Sequence, residues 1–159
     1  MNREPAQQAP SPPAPPLVIG WKERVALPQL RIPSLKAKVD TGARTSALHV
    51  AALRVLAEGH GGEAELELTL APDRRRPDRL VRARAHQIAR IRVTDSGGHR
   101  ELRPVIETEM VLGPVRRSIR LTLTDRSTML FRMILGRKAI EGPFLVDVAK
   151  KFLQTPPAA

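Results

Sequence analysis

The sequence predicts an all-β domain, a small barrel or sandwich. Three observations carry this: alternation of apolar and polar residues recurs along most of the chain, turn-forming clusters separate the alternating runs, and one short segment has helical bounds. In a run of period two, successive side chains face opposite sides of a sheet, so one set enters a core and the other meets water. Leu35, Ala37 and Val39 alternate with Lys36 and Lys38; Leu66, Leu68 and Leu70 with Glu65, Glu67 and Thr69. Val81, Ala83 and Ala85 alternate with Arg82, Arg84 and His86, and Ile119, Leu121 and Leu123 with Arg120, Thr122 and Thr124. Turns are expected at Gly59 to Gly62, Pro72 to Pro77, Ser96 to Gly98 and Gly113-Pro114. Gly136 and Gly142 bracket a short helix at Arg137 to Ile140. Ser46 to Leu56 fits a helical stripe about as well as a strand and is left unassigned.

Length and composition bound the rest. A chain of 159 residues suits one globular domain. The first sixteen residues, with six prolines and no apolar run, read as a disordered arm, and residues 154–159 as a frayed tail, so the folded part is expected over 17–153. No apolar run is long enough to cross a membrane and no secretory h-region is present, so the expected setting is cytoplasmic. With zero Cys there are no disulfides, thiolate zinc sites or thiol nucleophiles. The net charge of +11 implies affinity for anionic partners, whereas one Trp and three Phe are too few rings for a base-stacking surface, so nucleic acid is not the expected main ligand. Ten Arg against three acids between Arg74 and Arg103 would make a positive face, either solvated or docking an anionic partner.

The chemistry sits in Val39-Asp40-Thr41-Gly42-Ala43, a carboxylate at the end of an apolar strand followed by a hydroxyl, a Gly and a small residue. Alone, this is an ordinary turn in which Asp bonds its own backbone. A second apolar run into Gly, Met133-Ile134-Leu135-Gly136-Arg137, adds weight. Together the two segments resemble the retropepsin-like aspartic proteases. The resemblance is nearest to the bacterial branch historically labelled ATP-dependent zinc proteases and associated with ATP-grasp glutamate ligases. Its blocks here are Ile19-Gly20-Trp21, Lys36 to His49, Arg103-Pro104-Val105, Leu121-Thr122-Leu123 and Leu135-Gly136-Arg137.

That resemblance implies an all-β, retropepsin-like acid protease barrel with one short helix after the Gly-Arg motif. It implies peptide hydrolysis by two carboxylates sharing one proton, one acting as base on water and the other as acid. Only one Asp-Thr-Gly is present, so Asp40 would meet its symmetry mate in a homodimer. Thr41 would brace the dyad across the two-fold, Gly42 would admit the substrate backbone, and Ala43, Gly136 and Arg137 would support the turn. Two turns qualify as the lid over substrate: Asp95 to His99, which includes Gly97 and Gly98, and Gly59 to Gly62. One position departs from retroviral members, which place an acid where Arg44 stands. Arg137 then needs another acid, Glu141 or Asp147 being nearest in sequence, or the cleft is basic. Arg44 would favour acidic peptide segments, since guanidinium binds carboxylates in a bidentate fork.

No cofactor or metal is expected. His49, His60, His86 and His99 lack zinc-ligand spacing, and His49 is read as a packed, hydrogen-bonded residue. No phosphate-cradling loop occurs, so any ATP dependence would come from a partner, the associated glutamate ligase being the contextual candidate. The rival to an endopeptidase is a non-catalytic basic module docking on ribosome, nucleic acid or an acidic protein.

Overall fold

A computed structural model describes residues 10–155; the expected arm over 1–9 and the last four residues of the tail lie outside the described residues. Residues 10–16 are exposed and without regular structure. Eleven strands follow: β1 (Leu17–Gly20), β2 (Lys22–Leu27), β3 (Ile32–Val39), β4 (Ser46–His49), β5 (Ala52–Glu58), β6 (Ala64–Leu70), β7 (Val81–Thr94), β8 (Arg100–Leu112), β9 (Val115–Thr124), β10 (Met133–Leu135) and β11 (Phe144–Asp147). One short helix, α1 (Arg137–Ile140), lies between the last two, where the flanking glycines placed it. No helix among the described residues is long and apolar enough to cross a membrane.

Nine strands form one sheet in the order β2-β3-β10-β4-β9-β8-β7-β6-β5, and an added pairing of β2 with β8 closes the first six into a barrel. Closure removes two free edges. The remaining strands β5 to β7 continue outward as an antiparallel meander, and β1 pairs in parallel with β11 as a separate ribbon. The alternating runs do what period two requires. Leu66, Leu68 and Leu70 are buried, and Leu35 and Ala37 line the same core while Lys36 and Lys38 stay exposed. Ile119, Leu121 and Leu123 also point inward, but Thr122 and Thr124, expected outside, are buried as well. Their hydroxyls find acceptors there, Thr122 in the Ser46 carbonyl (3.3 Å) and Thr124 in Glu101 (2.9 Å).

The unassigned segment 46–56 resolves into two strands broken at Val50-Ala51. β4 is buried at all four positions and therefore shows no alternation. β7 and β8 form a long hairpin, with Ile91 opposite Arg103 and Val93 opposite Glu101. A register shift between Gln87 and Ala89 marks where this ribbon leaves the barrel, since a bulge bends and twists its strand.

The expected boundary at 153 falls short of the ordered fold. Glu23, fully buried in β2, accepts hydrogen bonds from the amides of Gly20 (3.0 Å), Leu153 (2.8 Å) and Gln154 (3.3 Å) and from the Thr155 hydroxyl (2.7 Å). A buried carboxylate needs donors in place of water, and here the terminal segment supplies them.

Candidate active site

β3 ends at Val39 because the next residue turns out of the sheet. The Asp40 amide donates to the Leu135 carbonyl (2.8 Å), the last ladder bond between β3 and β10. Asp40 Oδ1 then accepts the amides of Gly42 (3.0 Å) and Ala43 (3.2 Å), fixing its side chain at the head of the turn. Thr41 and Gly42 are exposed, while Val39 and Ser46 on either side are buried. The turn thus presents a half-buried carboxylate at the rim of the barrel.

The second motif holds this turn from behind. The amides of Arg137 and Lys138, in the first turn of α1 where helical donors lack intrahelical partners, donate to the carbonyls of Ala43 (2.8 Å) and Arg44 (3.1 Å). The Gly136 amide donates to Ser46 Oγ (3.0 Å). A Cβ on Gly136 would lie 2.7 Å from the Thr45 carbonyl carbon and 2.8 Å from the Arg44 oxygen, so only Gly permits the two segments to meet. Leu135 and Ile140 are buried beneath them.

Arg137 corrects one expectation. It takes neither Glu141 nor Asp147 as partner; its Nη1 donates to the Thr41 carbonyl (2.9 Å), and Glu141 is engaged by Lys138 (3.0 Å). The turn's own backbone thus gives the guanidinium an acceptor where the sequence pointed to an acid. Arg44 is exposed and contributes its carbonyl to α1.

Two residues near the site carried no sequence signal as site residues: Ser46, through the bond to Gly136, and Arg126. Burial pulls the Arg126 guanidinium below its usual range, Arg103 acts in the same direction, and the Asp40 carboxylate acts against them, which sets Arg126 within electrostatic reach of both. Its Nε donates to the Phe131 carbonyl (3.1 Å). The neighbouring Thr124 hydroxyl bonds both oxygens of Glu101 on β8 (2.9 and 3.1 Å), tying the long hairpin near its turn to this end of the barrel. Gly97 and Gly98 lie at its exposed tip, where Asp95 accepts the amides of Gly97 and His99 (both 2.9 Å). The His99 amide above all, aided by that of Gly97, holds Asp95 below the usual carboxylate range. The competing Gly59 to Gly62 turn is tied to β7 instead, through Gln87 Nε2 to the Gly62 carbonyl (2.5 Å).

His49 is the packed, hydrogen-bonded residue expected. It is buried, and its Nδ1 accepts the Arg126 amide (2.8 Å), which requires the unprotonated nitrogen. Burial first, then Arg132, pushes its pKa down from 6.5, with Asp125 opposing. The folded pKa is depressed, so His49 contributes its full stability above the unfolded value near 6.5 and loses it as pH falls through the folded one. The melting midpoint should therefore begin to fall just below pH 6.5, and His49→Asn, whose Oδ1 can still accept, should flatten that slope. Equal slopes in both proteins would show that His49 is not the titrating group. Among the described residues no group of three or more His, Asp or Glu gathers in metal-binding geometry.

A closed barrel with an Asp-Thr-Gly-Ala turn at a strand end, bound from behind by a Gly-Arg helix start, defines the retropepsin-like class. The family model described as "RimB-like: Retropepsin-like aspartic endopeptidase RimB" matches residues 18–157, and the chain belongs to this family. Among curated proteins, a "Probable alpha-L-glutamate ligase" of Shewanella pealeana is 36% identical over 135 residues, 85% of this chain and 29% of that protein. One of the same name from Desulfotalea psychrophila is 36% identical over 132 residues, 83% of this chain and 28% of that protein. The chain thus spans under a third of the length of these relatives. A crystal structure of a Legionella pneumophila protein of unknown function superposes with a TM-score of 0.69 at 24% identity, covering 87% of this chain and 98% of that one, a likeness of fold.

Proposed function

We propose that this domain is an aspartic endopeptidase that works as a two-fold homodimer, with Asp40 of each subunit supplying one carboxyl of the dyad. The observation that carries this reading is the turn itself. Asp40 is aimed by two amides at an exposed rim, and everything behind it is locked by α1 and Ser46. One carboxylate can take a proton from water but cannot also deliver one to the leaving amine; two sharing a proton do both, and the titration belongs to the pair. Thr41 and Gly42, exposed beside it, are the residues left to meet a second copy. The long hairpin is the better lid, since its outer end is held towards the site by the Thr124–Glu101 bond and it carries exposed Ile91 and Leu102 for an extended peptide. Gly97 and Gly98 would then close over substrate, and Arg44 at the turn would favour acidic segments. Occurrence of this domain within proteins named as glutamate ligases supports a functional link to glutamate ligation.

Activity that depends on pairing has a simple signature. Specific activity should fall on dilution in step with the dimer fraction seen by sedimentation, and chelators should leave it unchanged. Activity independent of concentration in a monomeric sample would exclude a shared dyad.

A further inference from the structure

β4 is buried at every position, yet its two faces are unlike. Leu48 joins the barrel core, so His49, next along the strand, points to the opposite side, where it meets the segment connecting β9 to β10. Two bonds join them: His49 Nδ1 accepts the Arg126 amide (2.8 Å), and the His49 amide donates to the Arg132 carbonyl (2.8 Å). The charged groups facing the ring are Asp125 and Arg126 from the β9 side and Arg132 from the β10 side. Asp125 Oδ1 lies 3.7 Å from the same Nδ1, so one nitrogen has two alternative partners. Neutral, it accepts the Arg126 amide; protonated, it becomes a donor, and the Asp125 carboxylate is the acceptor within reach. Two N–H groups cannot share a bond, so protonation displaces the backbone of Arg126. Arg132 makes quiet accommodation costly. It is only 6% exposed, its Nε and Nη1 have no partner among the described residues, and it sets a like charge beside the ring.

The surroundings of Asp40 depend on that segment in three ways. Thr124, at its start, holds Glu101 near the turn of the long hairpin (2.9 and 3.1 Å). The Arg126 guanidinium lies in the field of the Asp40 carboxylate. Arg132 leads into β10, whose Leu135 carbonyl accepts the Asp40 amide (2.8 Å). We infer that His49 is a positioning residue for hydrolysis, a proton-sensitive clasp that keeps segment 125–132, and through it the lid and the Asp40 turn, in place only while its ring is neutral. This role rests on Asp40 being the catalytic acid, as proposed above, and gives the reaction an acid limit of its own. Burial above all, then Arg132, holds His49 below its ordinary 6.5 against the opposing pull of Asp125. The clasp is therefore complete at neutral pH and opens as pH falls through that lowered value. A carboxyl dyad alone behaves otherwise, since it keeps its singly ionised form well into the acid range. Loss of activity in mild acid, on a barrel built for acid chemistry, is the distinguishing consequence.

The test follows initial rates on a dilute mixed peptide pool, proportional to kcat/KM, from about pH 8 to about pH 4, with each protein normalised to its own rate at about pH 7.5. In the parent the rate should fall roughly tenfold per pH unit below the His49 pKa. His49→Asn keeps an acceptor for the Arg126 amide but takes up no proton, and should move this limb down by at least about one pH unit. Asp125→Asn, at a position 75% exposed, removes the carboxylate that favours the charged ring and should also move the limb down. Amide hydrogen exchange over 125–132, corrected for its intrinsic pH dependence, gives a readout apart from activity. Between about pH 7.5 and about pH 5 it should rise at least about fivefold in the parent and less than about twofold in His49→Asn. Superimposable acid limbs in all three proteins, or equal exchange in the parent and His49→Asn, would overturn the clasp and return the limb to the carboxyls. Absence of hydrolysis at every pH would remove the proposed activity and the positioning role with it; exchange that still followed His49 would then place the failure in that activity rather than in the clasp. If His49→Asn does not fold, Asp125→Asn decides by the same two measurements.

Discussion

Asp40→Asn should lower peptide hydrolysis by about 10⁴-fold, the upper end of what a positioned acid–base group contributes, while leaving the fold intact. The asymmetry follows from the turn. Asp40 Oδ1 accepts the Gly42 and Ala43 amides, and an Asn carbonyl oxygen at the same place accepts them equally well. The substituted atom is the other one, facing away from those amides, and an amide nitrogen can neither remove a proton from water nor share one with a second carboxyl. Initial rates on a mixed peptide pool, the melting midpoint and the sedimentation coefficient separate the outcomes. Hydrolysis persisting in a pure Asp40→Asn sample would remove Asp40 from the chemistry. Loss of rate accompanied by loss of the fold would mean that the substitution reports on structure alone.

Gly136→Val should destabilise the domain by about 3 kcal/mol, the cost typical of forcing bulk into a filled interior, and lower the melting midpoint on the order of 10 °C. The atoms that a new Cβ meets are backbone atoms of Arg44 and Thr45. They cannot retreat cheaply. The Arg44 carbonyl accepts Lys138, the Ala43 carbonyl accepts Arg137, and Ser46 Oγ holds the Gly136 amide. Any shift that relieves the clash moves the segment directly after Asp40, so activity should fall further than the remaining folded fraction explains. Gly136→Ala is the informative comparison. It adds the same Cβ and should retain most of the penalty; an Ala variant as stable and active as the parent would show that the two motifs are not in close contact.

Much of this architecture is written in residue order, because a half-buried strand must alternate and most strands here are half-buried. Leu66 to Leu70 could be read directly, as could α1 between its two glycines. β4 could not, since a strand covered on both faces loses the periodic signal, and its four residues are too few to show another. The Asp40 turn and the Gly136-Arg137 segment are legible as motifs, yet the bond that joins Arg137 to Thr41 ends on a backbone carbonyl, which no count of acids reveals. Ser46, Arg126 and Arg132 are silent for a related reason. Their surroundings are assembled from segments far apart in the chain, as with Gly136 and Ser46, 90 residues distant. Glu23 follows the inward phase of Val25 and Leu27, but a carboxylate there makes sense only once the terminal donors arrive 130 residues later.

That acid has a mechanical consequence. Because Glu23 ties Gly20 near the start of the fold to Leu153 through Thr155 at its end, beside the β1–β11 ladder, the polypeptide is buckled like a belt. A pull on the terminal segment is carried through Glu23 directly into β2, a strand of the barrel. The first strand and the last described residues therefore sit beside each other, moored to the same closed circuit.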